Sequence, residues 1–191
     1  MPKALKVVLM VIFAIAQQSG AGWADKRVLP DAIREFHSPS KNFRLVVVVE
    51  EKRTEPVVYA ELYRKSDGGV EEDLIWRIDK LPHRLGPSRA LVTEGGRVLL
   101  IDEWVNTPSS FALMAIEKNG TIKLTLSFAD LAKLTGNSER SMAESAKFGA
   151  WRSLEPYLVP GKEIACLCTC STPFHLDLTN GEVGLGMWSA R

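Results

Sequence analysis

The stretch ALVTEGGRVLLIDEW, residues Ala90 to Trp104, contains the run on which the fold turns. Val98 to Ile101 is apolar at every position, follows a Gly95-Gly96 turn, and stops on Asp102, Glu103 and Trp104. A strand apolar on both sides belongs inside a sheet covered on both faces, with its acidic end reaching the surface. The run is therefore expected to be a central strand.

The same layout occurs on either side of it. Upstream, the turn residues Ser38 to Asn42 lead into Phe43 to Val49, whose LVVVV core is β-branched and reads as a buried strand. Val57 to Arg64 follows, with Val58, Ala60 and Leu62 on one face and Tyr59, Glu61 and Tyr63 on the other. Asp67-Gly68-Gly69 then turns the chain toward Leu74, Ile75 and Trp76. After the central run, Phe111 to Glu117, an Asn119-Gly120 turn and Thr121 to Phe128 repeat that order, Asn-Gly being a strong hairpin signal. A third copy runs through Glu163 to Cys170, Phe174 to Thr179, Asn180-Gly181 and Glu182 to Leu185. In it Phe174, Leu176 and Leu178 alternate with polar residues.

Three meanders, spaced by about 55 and then about 65 residues, are thus expected over 38–78, 90–128 and 151–186. The longer second interval holds a helical insertion, 128–148. Ser127 with Asp130, and Ser141 with Glu144, have the spacing of helix caps and predict one or two short helices. Trp151 anchors the return to the third unit or adds a strand to it. The segment Lys80 to Arg89, with two prolines and His83, reads as a connecting loop.

The chain has 191 residues, 46% hydrophobic and 25% charged, which suits a globular domain with a substantial core and excludes disorder. Lys3 and Lys6 precede an uncharged apolar run, Val7 to Ala16, and then a small polar segment to Ala24. This is the layout of a secretory signal peptide, 1–24, cleaved after Ala24 or, alternatively, after Ala21. The run is too short to cross about 30 Å of hydrocarbon. A periplasmic or secreted protein spanning 25–191 as one β-repeat domain is expected, with no membrane span in the mature chain. Losing Lys3 and Lys6 moves the net charge from +1 to −1, and the remaining basic residues are interspersed with acids. Neither a nucleic-acid partner nor a membrane-binding patch follows from such a balance.

The repeat resembles the blades of propeller-like β-sheet proteins. It is also similar to a group of exported bacterial proteins without an assigned function, which carry a Ser-Pro turn before a strand, here Ser38-Pro39, and a strand ending in Asp-x-Trp, here Asp102-Glu103-Trp104. The resemblance implies an all-β, mainly antiparallel fold: a partial propeller or face-packed sheets, since three units are too few for an ordinary closed ring.

Two places could carry chemistry. Cys166, Cys168 and Cys170, with His175 nearby, are the residue types of a Cys3His zinc set. If 163–170 is a regular strand, however, successive thiols lie about 6.5 Å apart on one face, too far for one tetrahedral ion or a disulfide between neighbours. Three small buried hydrophobes, a metal- or thiol-active site and intermolecular bridging are the alternatives. Asp102, Glu103 and Trp104 form the second candidate. An acid beside an aromatic at a strand end can bind a sugar or a cation, or simply finish the strand. Adjacent carboxylates on a regular strand point to opposite faces, which argues against an acid-base pair.

His37, His83 and His175 have no spacing that links them to a nucleophile, and Gly-x-Ser-x-Gly, His-Glu-x-x-His and P-loop motifs do not occur. No cofactor is implied. The expected function is therefore non-enzymatic binding of an envelope or extracellular partner, a protein or a glycan. The alternatives are a periplasmic metal- or thiol-active protein and a hydrolase-like enzyme whose site converges only in three dimensions.

Overall fold

Three four-stranded antiparallel meanders make up the protein, each using strands that are consecutive in sequence. The computed structural model describes residues 30–51, 55–66, 71–103, 109–146, 152 and 154–188. The segment 1–24 expected to be a signal peptide, Trp104 and Trp151 lie outside them. The first sheet comprises β1 (Ile33–His37), β2 (Phe43–Glu50), β3 (Val57–Lys65) and β4 (Glu72–Ile78). The middle sheet comprises β5 (Pro87–Val92), β6 (Val98–Glu103), β7 (Leu113–Ile116) and β8 (Ile122–Leu126). After α1 (Phe128–Thr135) and α2 (Glu139–Ala146), the third sheet is formed by β9 (Tyr157–Leu158), β10 (Ile164–Thr169), β11 (Thr172–Asp177) and β12 (Val183–Leu185). The fold is all-β apart from those two short helices. None of the described helices is long and apolar enough to cross a membrane.

The apolar run in β6 explains how the sheets stack. Val98 and Leu100 join Leu45, Val47, Val58, Ala60 and Leu62 of the first sheet in one core. Leu99 and Ile101 join Ala165, Leu167, Phe174 and Leu176 of the third sheet in another, together with Phe128, Leu131 and Met142 of the helices. Because side chains alternate along a strand, a run with no polar position fits only a sheet covered on both faces. The middle sheet is such a layer, and the other two each carry one core face.

Each unit has one strand more than the three expected. Residues 33–37, which precede the meander expected over 38–78, form β1 through the full register Ile33↔Val48 to His37↔Arg44. Pro87 to Arg89, assigned to a linker, begin β5. Both are edge strands rich in charged or small residues, so their apolar signal is weak. In the third unit β9 adds a strand paired to β10 through Leu158↔Ala165 and Tyr157↔Cys166.

The turns follow their residues. Ser38 holds the first hairpin, its N–H donating to the Phe43 carbonyl at 3.0 Å and its hydroxyl accepting from the Phe43 N–H at 3.2 Å. Gly120, at φ 86°, allows the Asn119-Gly120 turn. Ser127 caps α1 in a reciprocal pair with Asp130, and Gly136 ends it in the left-handed conformation. The second helix starts earlier than expected. It opens at Glu139, and the Ser138 hydroxyl, not that of Ser141, accepts a cap bond, from the Ser141 N–H at 3.0 Å.

Neighbouring sheets are tied at corresponding places. At one end, the Ser40 N–H of the first hairpin turn donates to Glu94 of the next at 2.7 Å, and the Gly95 N–H donates to Glu163, just before β10, at 2.9 Å. Along the first strands, Arg34 of β1 donates to the carbonyls of Leu85, at 2.7 Å, and Pro87. Burial lowers the Arg34 pKa to about 10, with Asp31 partly opposing. Gly86 makes room for this contact, since a Cβ there would overlap the guanidinium.

Glu117 joins the last two strands of the middle sheet to their surroundings. It accepts from Lys123 Nζ at 2.6 Å and from Arg97 Nε at 2.9 Å, and these bonds, Lys123 first, hold its carboxyl below the ordinary glutamate value. A depressed carboxylate contributes stability that is present above the unfolded-state pKa and lost as pH falls through the folded one. Acid titration of unfolding should therefore show Glu117→Gln losing less stability than the parent below about pH 4.5. Equal slopes would contradict the assignment.

Candidate functional site

The acidic end of β6 is kinked. Asp102 is buried and has φ 63°, a left-handed conformation that costs an L-residue about 1–2 kcal/mol. The ladder with β5 pairs Arg89 with Ile101 and Pro87 with Glu103, stepping past Asp102. The Asp102 N–H still donates to the Ala112 carbonyl at 2.7 Å. Regular alternation therefore stops at this residue, and the expectation that Asp102 and Glu103 point to opposite faces of a regular strand does not apply. Trp104 and the Glu103 side chain lie outside what is described.

Asp102 acts on Arg152, a residue about 50 positions away in sequence that bridges the main chain of Thr169 in the third sheet. Only 8% of the Arg152 side chain is exposed. Burial lowers its pKa; Asp102 and Glu155 oppose that shift, and Arg89 adds to it. Glu155 lies 3.7 Å from Arg152 Nη1 and accepts from Arg89 Nε at 2.9 Å. The junction between the middle and third sheets thus holds two acids and two arginines. Among the described residues, Arg152 Nε is buried without a hydrogen-bond partner. A buried guanidinium N–H with no acceptor is costly, so it marks a place where an acceptor would be gained.

Sequence reasoning found Asp102 but not Arg89, Arg152 or Glu155. No motif spacing could have found them, because the chain folds back across the helical insertion to bring them together. This group contains no nucleophile with a neighbouring base. What it can do is donate from arginine and accept at a carboxylate.

The cysteines are arranged differently from the expectation. Strand β10 ends at Thr169, and Thr169 pairs with Thr172 across a two-residue turn in which Cys170 and Ser171 have φ 46° and 67°. Two positive φ values define the tight type I′ class of hairpin turn. Cys170 therefore leaves the face shared by Cys166 and Cys168, and its sulfur lies 4.0 Å from the Ser141 hydroxyl of α2. Among the described residues, none of the three cysteines is joined in a disulfide. Among the described residues, no three or more His, Cys, Asp or Glu side chains are grouped to hold a metal ion, so Cys166, Cys168, Cys170 and His175 do not form a Cys3His set.

Ala165 and Leu167 face the middle sheet, which puts Cys166 and Cys168 on the opposite face of β10. There Cys166 sits between Tyr157 of β9 and His175 of β11. A hydrogen bond to Cys166 pushes the Tyr157 phenol up. The His175 ring lies over Gly184, where any Cβ would overlap it, and its Nδ1 is 3.3 Å from the Gly186 carbonyl.

Left-handed conformation at Ser171 costs more than it would at glycine. Ser171→Gly should raise stability by about 0.5–1 kcal/mol, after glycine's own entropy cost, and the melting temperature by a few degrees. A lower melting temperature would show that the serine side chain outweighs the backbone.

The remaining histidines stand apart. His37 lies on edge strand β1, 3.8 Å from Glu35, and His83 is buried with its ring centroid 5.5 Å from that of Phe111. Comparison with protein-family models, with curated proteins and with solved structures returned no match.

Proposed function

We propose that this is an exported, non-enzymatic β-sheet protein, akin to propeller-like envelope proteins, that binds a partner at the Asp102–Arg152 junction. The observation that carries the reading is the buried Arg152 guanidinium, whose Nε has no acceptor among the described residues, beside a strained buried aspartate. Strained, buried polar residues concentrate at binding sites. An arginine donor next to a carboxylate acceptor suits a ligand bearing both acidic and hydroxyl groups. Envelope glycans have that chemistry, and they are favoured over a protein partner here.

Binding of the mature chain to peptidoglycan fragments and acidic envelope oligosaccharides, measured by calorimetry, tests the reading. Retention by the parent with at least a tenfold loss in Arg152→Gln is expected; no binding, or binding indifferent to Arg152, would overturn it. Cell fractionation tests export separately: a mature amino terminus at Asp25 in the periplasm or medium is expected, against an intact Met1 in the cytoplasm.

The row Tyr157, Cys166, His175 favours a second reading, a thiol-active envelope protein. Thiol titration of folded protein separates the two, since a reactive Cys166 supports thiol chemistry and slow labelling until unfolding opposes it.

A further inference from the structure

Within the chain, one kind of sheet face packs on another twice. The face of the first sheet bearing Leu45, Val47 and Val49 meets the face of the middle sheet bearing Val98 and Leu100. The opposite face of the middle sheet, with Leu99 and Ile101, meets the third-sheet face bearing Ala165 and Leu167. Each unit thus offers a forward face to the next unit and a rear face to the previous one. Among the described residues, two faces have no sheet packed on them: the rear face of the first sheet, with Ile33, Arg44, Val46, Val48, Tyr59 and Tyr63, and the forward face of the third, with Tyr157, Cys166, Cys168 and His175.

We infer that these two end faces pack against each other between two copies of the chain, head to tail, closing a ring of six sheets. The repeat itself identifies the occupant. A forward face already takes a rear face at both junctions inside the chain, and the rear face not used there belongs to the first sheet. The turn contacts repeat in the same sense, Ser40 to Glu94 and Gly95 to Glu163, so the stack advances by one rule. Head-to-tail contacts either close into rings or run on as filaments. Six blades fall within the range of propellers of about 4–8 blades, whereas three do not.

Each end face holds a large apolar side chain open to solvent, Ile33 at 59% and Tyr157 at 45% exposure, although Cys166 and Cys168 beside Tyr157 are already buried. Leu74, opposite Tyr63 on the rear face, is 52% exposed. The arginines on that face are already paired in its plane. Arg44 bridges Glu35 and Glu72 and lies 4.9 Å from the Tyr63 ring centroid, and Arg77 pairs with Glu61 and Asp79 over Tyr59. Covering the face would not strand either arginine. The smaller face sets the contact: the four third-sheet strands hold 17 residues, which at about 3.3 Å per residue and about 4.8 Å between strands give roughly 270 Å² in plan. Ring closure uses both faces of each copy, about 540 Å² in plan, a small contact beside the roughly 800 Å² per partner of a standard stable interface.

The test is the mass of the mature chain in solution, by sedimentation with the parent, Leu74→Arg and Tyr157→Arg. The parent should be a dimer. Each variant, blocked at one end only, should be monomeric with at least a hundredfold weaker association. Mixed one to one, the two variants should form a heterodimer, since each supplies the face the other lacks. Recovery in the mixture also shows that both variants fold, and circular dichroism checks each separately. A monomeric parent, dissociation by one substitution alone, failure of folded variants to combine, or growth into long assemblies would each overturn the inference.

Discussion

Leu99→Ala and Leu100→Ala should each lower the unfolding free energy by about 3 kcal/mol, although the two residues are adjacent in sequence. In a strand covered on one side, one of two neighbours faces solvent and its truncation costs little. Here Leu100 sits in the core shared with the first sheet and Leu99 in the core shared with the third sheet and the helices. Each truncation leaves a cavity in a different core. The double variant should lose about 6 kcal/mol, because the two sites share no packing partners. That is a large part of the roughly 5–15 kcal/mol available to a domain, so the double variant should be near its unfolding threshold. Urea unfolding of the single variants provides the measurement. A loss below about 1 kcal/mol for either would mean that one face of the middle sheet is not a core.

Asp102→Ala should cost about 3–4 kcal/mol, through the Arg152 charge it leaves behind. Arg152 is already pushed down by burial, and Asp102 is the first of the two groups that oppose the shift. Asp102→Asn and Asp102→Gly separate charge from backbone. Both accept the left-handed conformation more readily than alanine does, so each should be about 1 kcal/mol less damaging than Asp102→Ala. Combining Asp102→Asn with Arg152→Gln should cost less than the sum of the two alone, and this non-additivity isolates the pair. Strict additivity would show that the residues do not act on each other.

The architecture was legible wherever burial is written as an unbroken apolar run. LVVVV before Glu50 and VLLI before Asp102 named their own strands, and the alternation of Phe174, Leu176 and Leu178 placed β11. Strand β1 was not legible because an edge strand needs no apolar face: Arg34 is held by a carbonyl about fifty residues away and Glu35 by Arg44 of the neighbouring strand. Strand β5 begins on Pro87, and proline beside basic residues looks like a loop until its pairing with β6 is seen. The turn at Cys170-Ser171 contains neither glycine nor asparagine, so nothing local announced it.

The candidate site was half legible. Asp102 stood out as the polar stop of an apolar run. The expected opposition of Asp102 and Glu103 assumed a regular strand, and a single positive φ removed that assumption. Arg152 became relevant only through long-range folding, since its burial depends on where the third sheet lands.

Sheets made of consecutive strands give the chain a timetable as it emerges from a ribosome. The strands of the first sheet can all pair before β5 exists, since β1 to β4 pair only with one another, although the Leu45 and Val47 face waits for Val98 and Leu100. The middle sheet is in a different position. Once β8 is paired, the Leu99 and Ile101 side still awaits Ala165 and Leu167, which arrive some forty residues later, and an apolar sheet left bare is prone to aggregation. Helix α1 begins two residues after β8, and its Phe128 and Leu131 pack into that same core. The insertion that interrupts the repeat thereby acts as an early cover, shielding the middle sheet during the interval before the third one forms.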